Sequence, residues 1–255
     1  MPRRDFWTRE TVAWYARALA RSDYAARVLE VLGPRLDGCG DALDVGAGCG
    51  ALAVPLGRRL AAVTALEPEP AMAEALREST ARAGLDNMTV VEARWGDVAI
   101  RPHDLVLCAH VGGLMRRDSR FLREVGSVAR RLVALVRDAD IGPNADKFFF
   151  AELYPALLGR PYEHRCDTAE TLAGLASLGI RPEVTTITYR SDQPFGDLDE
   201  ACDFFMAYLG LQGPAPRAYL ARFLDARLVR RDGELIAPFE KAAAVITWPV
   251  AADLT

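Results

Sequence analysis

Between residues 42 and 136, short apolar runs alternate with longer stretches of helical spacing, and this rhythm restricts the fold more than any other feature. Ala42-Leu43-Asp44-Val45, Ala62–Leu66, Thr89-Val90-Val91, Leu105–Cys108 and Leu132–Val136 read as five strands. Residues 50–60, a segment entered at Pro70 and ended by Gly84, and Arg116–Ser127 read as the helices between them. Strands separated by helices, with few hairpin signals, predict a parallel sheet joined by right-handed crossovers. Uninterrupted apolar runs suit strands covered on both faces.

Outside that core, residues 8–35 read as two helices, the second stopped by Gly33-Pro34. Thr168–Leu178 reads as helix, Val184–Tyr189 as a β-branched strand, 197–209 and 215–230 as helices, and Ala243–Trp248 as a closing strand. The expected organisation is an N-terminal helical cap (1–38) followed by one domain (39–255) with a helical lid insertion at about 192–238. The 255 residues carry a net charge of −4, which argues against a nucleic-acid partner. No apolar run approaches the roughly 18–20 residues that span a bilayer, and Arg3-Arg4-Asp5 opens the chain without an apolar leader. A cytoplasmic protein without a membrane partner is expected. The five cysteines are scattered and form no C-x-x-C pair, so no metal site is predicted.

The segment Asp44-Val45-Gly46-Ala47-Gly48-Cys49-Gly50 follows the first strand. Glycines there let the backbone turn tightly and a ligand approach it, with a helix N-terminus behind. Two ligands fit the spacing. Gly46, Gly48 and Ala51 satisfy the dinucleotide fingerprint G-x-G-x-x-G/A, which leaves a nicotinamide-dependent oxidoreductase as one reading. Glu67, after the second strand, suits the ribose hydroxyls of either ligand. Asp44 breaks the tie. A carboxylate beside a pyrophosphate repels it, whereas it favours the cationic amino-acid end of a sulfonium ligand.

With Asp44, Gly46, Gly48 and Gly50 intact, the chain resembles the class I S-adenosylmethionine (SAM)-dependent methyltransferases, whose first motif is D/E-x-G-x-G-x-G. The resemblance runs through about residues 40–137. It implies a doubly wound, seven-stranded, mostly parallel α/β sheet of Rossmann-like type whose last strand, near 243–248, is antiparallel. It also implies that the glycine loop faces the methionine part of SAM and that Glu67 binds its ribose. Where the family often has Gly-Asp for the adenine, this chain has Arg94-Trp95, with Asp97 two or three residues late. Arg94 and Trp95 are the candidates there, Trp95 by stacking. Tyr15 or Trp7, from the N-terminal helix, is expected to close on the ligand.

The acceptor side is less marked. His110, just past the fourth strand, is the candidate for touching the acceptor, because the carboxyl ends of parallel strands face the ligand crevice and a neutral imidazole takes a proton. The N/D-P-P-Y/F signature for nucleobase amino groups is absent. Phe148-Phe149-Phe150 could line an apolar substrate pocket, although an aromatic run is more often core, and His164 is a further candidate for the substrate side. Expected chemistry is direct displacement of the SAM methyl onto a small-molecule acceptor, leaving S-adenosylhomocysteine. A SAM-binding protein without turnover stays open beside it.

Overall fold

The computed structural model describes residues 6–139, 147–163 and 168–250. Contacts divide the chain into two compact units. The larger comprises, of the described residues, 25–139, 168–188 and 242–250. Its strands are β1 (Asp41–Val45), β2 (Ala62–Leu66), β3 (Met88–Val91), β4 (His103–Ala109), β5 (Ala129–Asp138), β6 (Glu183–Arg190) and β10 (Glu240–Pro249). They form one seven-stranded sheet in the order β3-β2-β1-β4-β5-β10-β6. The first five pair in parallel, and β10 runs antiparallel to β5. All seven expected strands are present, with the antiparallel partner where the resemblance placed it.

Helices cover both faces, so the central strands read as near-continuous apolar runs. Leu43, Val106, Val133 and Ile246 lie in one buried cluster with Phe121, Leu122 and Leu175. On α2 (Tyr24–Leu32), Val28, Leu29 and Leu32 are buried one turn apart. α3 (Ala53–Gly57) is shorter than the expected 50–60 and holds Pro55. The proline sits within the first turn, where no intrahelical N–H bond is lost. α4 (Pro70–Arg82) starts on its proline, as expected.

The expected helix 116–127 is a short α5 (Arg120–Glu124) continued by a 3-10 turn, Val125–Val128. Ser119 sets its start by accepting from the Leu122 N–H at 3.1 Å. Arg116 therefore shares no helical face with Arg120 and Arg123. Arg120 instead pairs with Glu124 one turn on, at 2.7 Å.

The smaller unit comprises 6–24, 147–163 and 189–241 among the described residues. The stretch 1–38, read as one cap, is thus divided: α1 (Arg9–Arg21) belongs here and α2 to the sheet. With α1 come α6 (Phe150–Leu158), α8 (Leu198–Leu209) and α9 (Pro214–Asp225). The stretch 192–238, expected to be helical, also holds a three-stranded antiparallel sheet, β7 (Gln193–Phe195), β9 (Glu234–Ala237) and β8 (Val229–Arg231). The core of this unit is aromatic. Trp14, Phe148, Phe150, Phe195, Phe204, Phe205 and Phe239 are buried together, mostly edge to face. Phe148 and Phe150 are core, the commoner role of an aromatic run, and not the lining of a pocket.

Asp41 fastens the amino ends of three strands. Its Oδ1 accepts from the Asp104 N–H at 2.8 Å and from Arg130 at 2.6 Å, and its Oδ2 accepts from Arg101 at 2.9 Å. Arg130 also binds Asp104 at 2.7 Å, and Asp104 accepts from the Gly40 N–H. The Arg130 bond holds the Asp104 carboxyl below its ordinary pKa. An acid with a lowered folded pKa stabilises above its unfolded pKa, and that contribution disappears as pH falls through the folded value. Asp41→Ala removes an acceptor shared by Arg101, Arg130 and the Asp104 N–H, while both guanidinium groups stay in reach of water and Arg130 keeps Asp104, so urea denaturation at pH 7 should show a loss of about 1–2 kcal/mol. Asp104→Ala should lose less at pH 3 than at pH 7. Equal losses at both pH values would remove the assigned role of Asp104.

Candidate active site

In register, Val45 stands beside Leu66 on one side and Cys108 on the other. The exits of β1, β2 and β4 therefore lie side by side at the carboxyl edge of the sheet. Gly46, Gly48 and Gly50 all have positive φ, at 75°, 55° and 94°. Only glycine takes such a series without strain. The Gly46 and Ala47 N–H groups both donate to the Leu66 carbonyl, which seats the loop on β2.

The three glycines do different work. A Cβ on Gly46 would lie 2.3 Å from Cγ2 of Val111, and one on Gly50 would lie 2.6 Å from Leu76. Both are bare because protein packs against them. A Cβ on Gly48 would meet nothing within 4 Å. Of the three, Gly48 alone borders open space, so ligand approach to the backbone falls there. Spacing alone did not separate these roles.

Glu67 is buried, with 5% of its surface exposed, and straps the loop. Its Oε2 accepts from the Gly48 N–H at 2.8 Å and its Oε1 from the Glu69 N–H at 2.9 Å. Burial raises its pKa against those two bonds. Asp44, 2% exposed on β1, is pushed up to about 7 by burial and then by repulsion from Glu67, against one backbone bond from Ala53. The loop thus encloses two carboxylates that repel each other. Burial also pushes the Cys49 thiol up to about 11, and Cys108 rises as well, so both stay protonated and are poor nucleophiles.

Arg94 and Trp95 follow β3. The Arg94 guanidinium reaches towards Glu69 at 3.6 Å, and the Arg94 backbone N–H donates to Oδ2 of Asp97, closing the turn. Asp97 is therefore occupied with the turn of its own loop. Trp95 packs edge to face on Phe121, with ring centres 4.9 Å apart, and so joins the sheet's core. Tyr15 lies on α1 in the other unit, half-exposed with its ring against Trp7. His164 lies outside the described residues.

His110 leaves β4 in the left-handed region, with φ 56°. Its N–H donates to the Val136 carbonyl at 2.9 Å. Its Nδ1 stands 3.0 Å from Oδ1 of Asp138, the last residue of β5. Val111, the next residue, is the one pressed on Gly46. The site therefore joins the glycine loop, Glu67 and the β4 exit. Asp138 and Val111 were not foreseen. The signal for Asp138 was its place at the end of the strand next to His110.

A model of the methyltransferase domain family matches residues 42–131, the stretch that carries this site. That match covers 90 of the 255 residues and is what ties this stretch to the methyltransferase domain. A ubiquinone biosynthesis O-methyltransferase from Methylocella silvestris is 37% identical over 115 residues, 44% of this chain. The chain spans only 41% of that curated relative's length. A structure assigned as a type II methyltransferase from Anaeromyxobacter dehalogenans aligns with TM-score 0.56 and 21% identity, over 89% of this chain and 96% of its own. The YcgJ protein of Bacillus subtilis aligns with TM-score 0.52 and 17% identity, over 88% and 98%. These two are likenesses of fold.

No helix among the described residues is long and apolar enough to cross a membrane. Among the same residues no group of three His, Cys, Asp or Glu side chains is placed to hold a metal ion.

Val111 and Gly46 make the methyltransferase loop testable without any ligand. Gly46→Ala should cost about 2 kcal/mol, from the positive φ and the overlap with Val111. Gly46→Ala/Val111→Ala should recover part of it, because the overlapping Cγ2 is gone. Denaturant curves for both variants and for Val111→Ala decide this. Strict additivity would separate the two residues.

Proposed function

We propose that this protein transfers a methyl group from SAM to a nucleophilic atom of a small molecule by direct displacement, leaving S-adenosylhomocysteine. One observation carries the reading: Asp44 and Glu67 are buried together at a glycine loop whose Gly48 borders open space. Two crowded carboxylates suit a ligand that brings positive charge and repel the pyrophosphate of a dinucleotide. SAM carries a sulfonium and an ammonium group. The curated O-methyltransferase relative supports a small-molecule acceptor.

The residues present fit that ligand. The main chain at Gly48 would lie against it, with Asp44 facing its cationic end through space or water. Glu67 spends one lone pair of each oxygen on the loop, which leaves each oxygen able to accept from a ribose hydroxyl. Arg94 and Trp95 would border the base. When bound, SAM supplies an activated methyl on a good leaving group. The chain holds the acceptor in line with that methyl and keeps water away. His110 is the proposed contact to the acceptor.

Calorimetry with SAM, S-adenosylhomocysteine and NADH tests the ligand. SAM should bind and NADH should not; NADH binding alone would overturn the reading. Glu67→Ala should weaken SAM by about 1–3 kcal/mol, and unchanged affinity would remove the ribose assignment.

Asp44 adds a proton signature. With its pKa near 7, about half of it is protonated at pH 7. A cation beside it lowers that pKa, so binding expels the proton and affinity rises from pH 6 to pH 8. Repeating the titration in buffers of different ionisation enthalpy should show net proton release on SAM binding near pH 7. Asp44→Asn should abolish the release.

A further inference from the structure

We propose that Asp138 is a positioning residue for His110, and that the pair takes the proton from a hydroxyl acceptor as the methyl group is transferred. The proposal rests on the methyl-transfer reading above and names the acceptor class for it.

The two residues leave neighbouring parallel strands, and both backbones are fixed. Asp138 pairs with Ala243 across β10, and its carbonyl accepts from the Thr168 hydroxyl at 2.7 Å. His110 donates its N–H to Val136. A left-handed conformation at a non-glycine residue is strained and persists only where its surroundings impose it. Here the turn sends the imidazole to Asp138 and brings Val111 against the glycine loop. The 3.0 Å contact is of hydrogen-bond length.

The chemistry follows from the acceptor atom. An ionised carboxylate only accepts, so the neutral imidazole must carry its proton on Nδ1. The basic lone pair is then on Nε2. Nε2 is buried in this structure. An amine or a thioether attacks through a lone pair it already has. A hydroxyl is a poor nucleophile until its proton leaves, and a carboxylate-oriented imidazole serves that case. The hydroxyl proton moves to Nε2 while the oxygen lone pair forms the bond to the methyl carbon. The electron pair of the breaking carbon–sulfur bond stays with sulfur. The imidazolium is stabilised by Asp138 and afterwards gives its proton to water.

Long-range proton–nitrogen correlation spectra of protein labelled with nitrogen-15 in its histidines test the couple directly. His110→Gln identifies the His110 signals among the three histidines. The wild type should show the Nδ1–H form at pH 8. Asp138→Ala should turn His110 to the Nε2–H form, and Asp138→Leu, close to Asp in size and without an acceptor, serves if the alanine variant does not fold. An Nε2–H form in the wild type, or unchanged spectra in the variants, would overturn the assignment.

Turnover is read as S-adenosylhomocysteine release with catechol and simple phenols as probes. Asp138→Ala should lower kcat at least about tenfold with the KM for SAM unchanged, and an equal kcat would overturn the coupling. A wild type that binds SAM and turns over none of these phenols would overturn the hydroxyl class. A wild type that does not bind SAM would overturn the methyl-transfer reading, while the spectra still judge the couple.

Discussion

The Glu67 carboxylate ties the site together. It binds the Gly48 N–H with one oxygen and the Glu69 N–H with the other, so one side chain sets both the loop after β1 and the exit of β2. Without that strap, a run of left-handed glycines has little to hold its shape, because glycine loses more freedom on folding than other residues. The strap also fixes where negative charge sits. It keeps a carboxylate in the interior at a raised pKa, and that charge in turn raises Asp44. Loop shape and site electrostatics therefore have one origin.

Much of the sheet was legible because burial on both faces writes itself into sequence as continuous apolar runs. Leu105–Cys108 and Leu132–Val136 are such runs, and they became the centres of β4 and of a β5 twice as long. The three-stranded sheet of the smaller unit was not read. Its strands are only three or four residues long, too short to show a period, and Val229, Arg230 and Arg231 of β8 are all exposed. One local signal was available. Asp232-Gly233 separates β8 from β9, and both residues have positive φ, as a two-residue hairpin turn needs. Its strength came from turn chemistry, which hydrophobic periodicity does not report.

The site was legible in part for a similar reason. Asp44, the glycines and Glu67 lie within one motif and its neighbouring strand end, so spacing sufficed to name them. The roles of the glycines did not follow, because Val111 and Leu76 reach Gly46 and Gly50 from elsewhere in the chain. Trp95 shows the same limit. Its position suggested a ligand contact, but its edge-to-face packing on Phe121 from α5 could not be read from spacing. The pairing of His110 with Asp138 depends on adjacent strands whose residues are 28 positions apart in sequence, a link only the sheet order makes.

Two aspartates on β1 show how one residue type serves opposite ends of a parallel sheet. Asp41 begins the strand and meets Arg101 and Arg130, so its charge is matched within the protein. Asp44 lies three residues on, near the carboxyl end. The influences on it are burial, repulsion from Glu67 and a single backbone N–H. A buried carboxylate matched by guanidinium groups holds strands together, and removing a partner is costly. A buried carboxylate beside another is a standing cost, which a protein keeps where something from outside relieves it. Three residues of one strand thus separate a charge the fold uses from a charge that a ligand must complete.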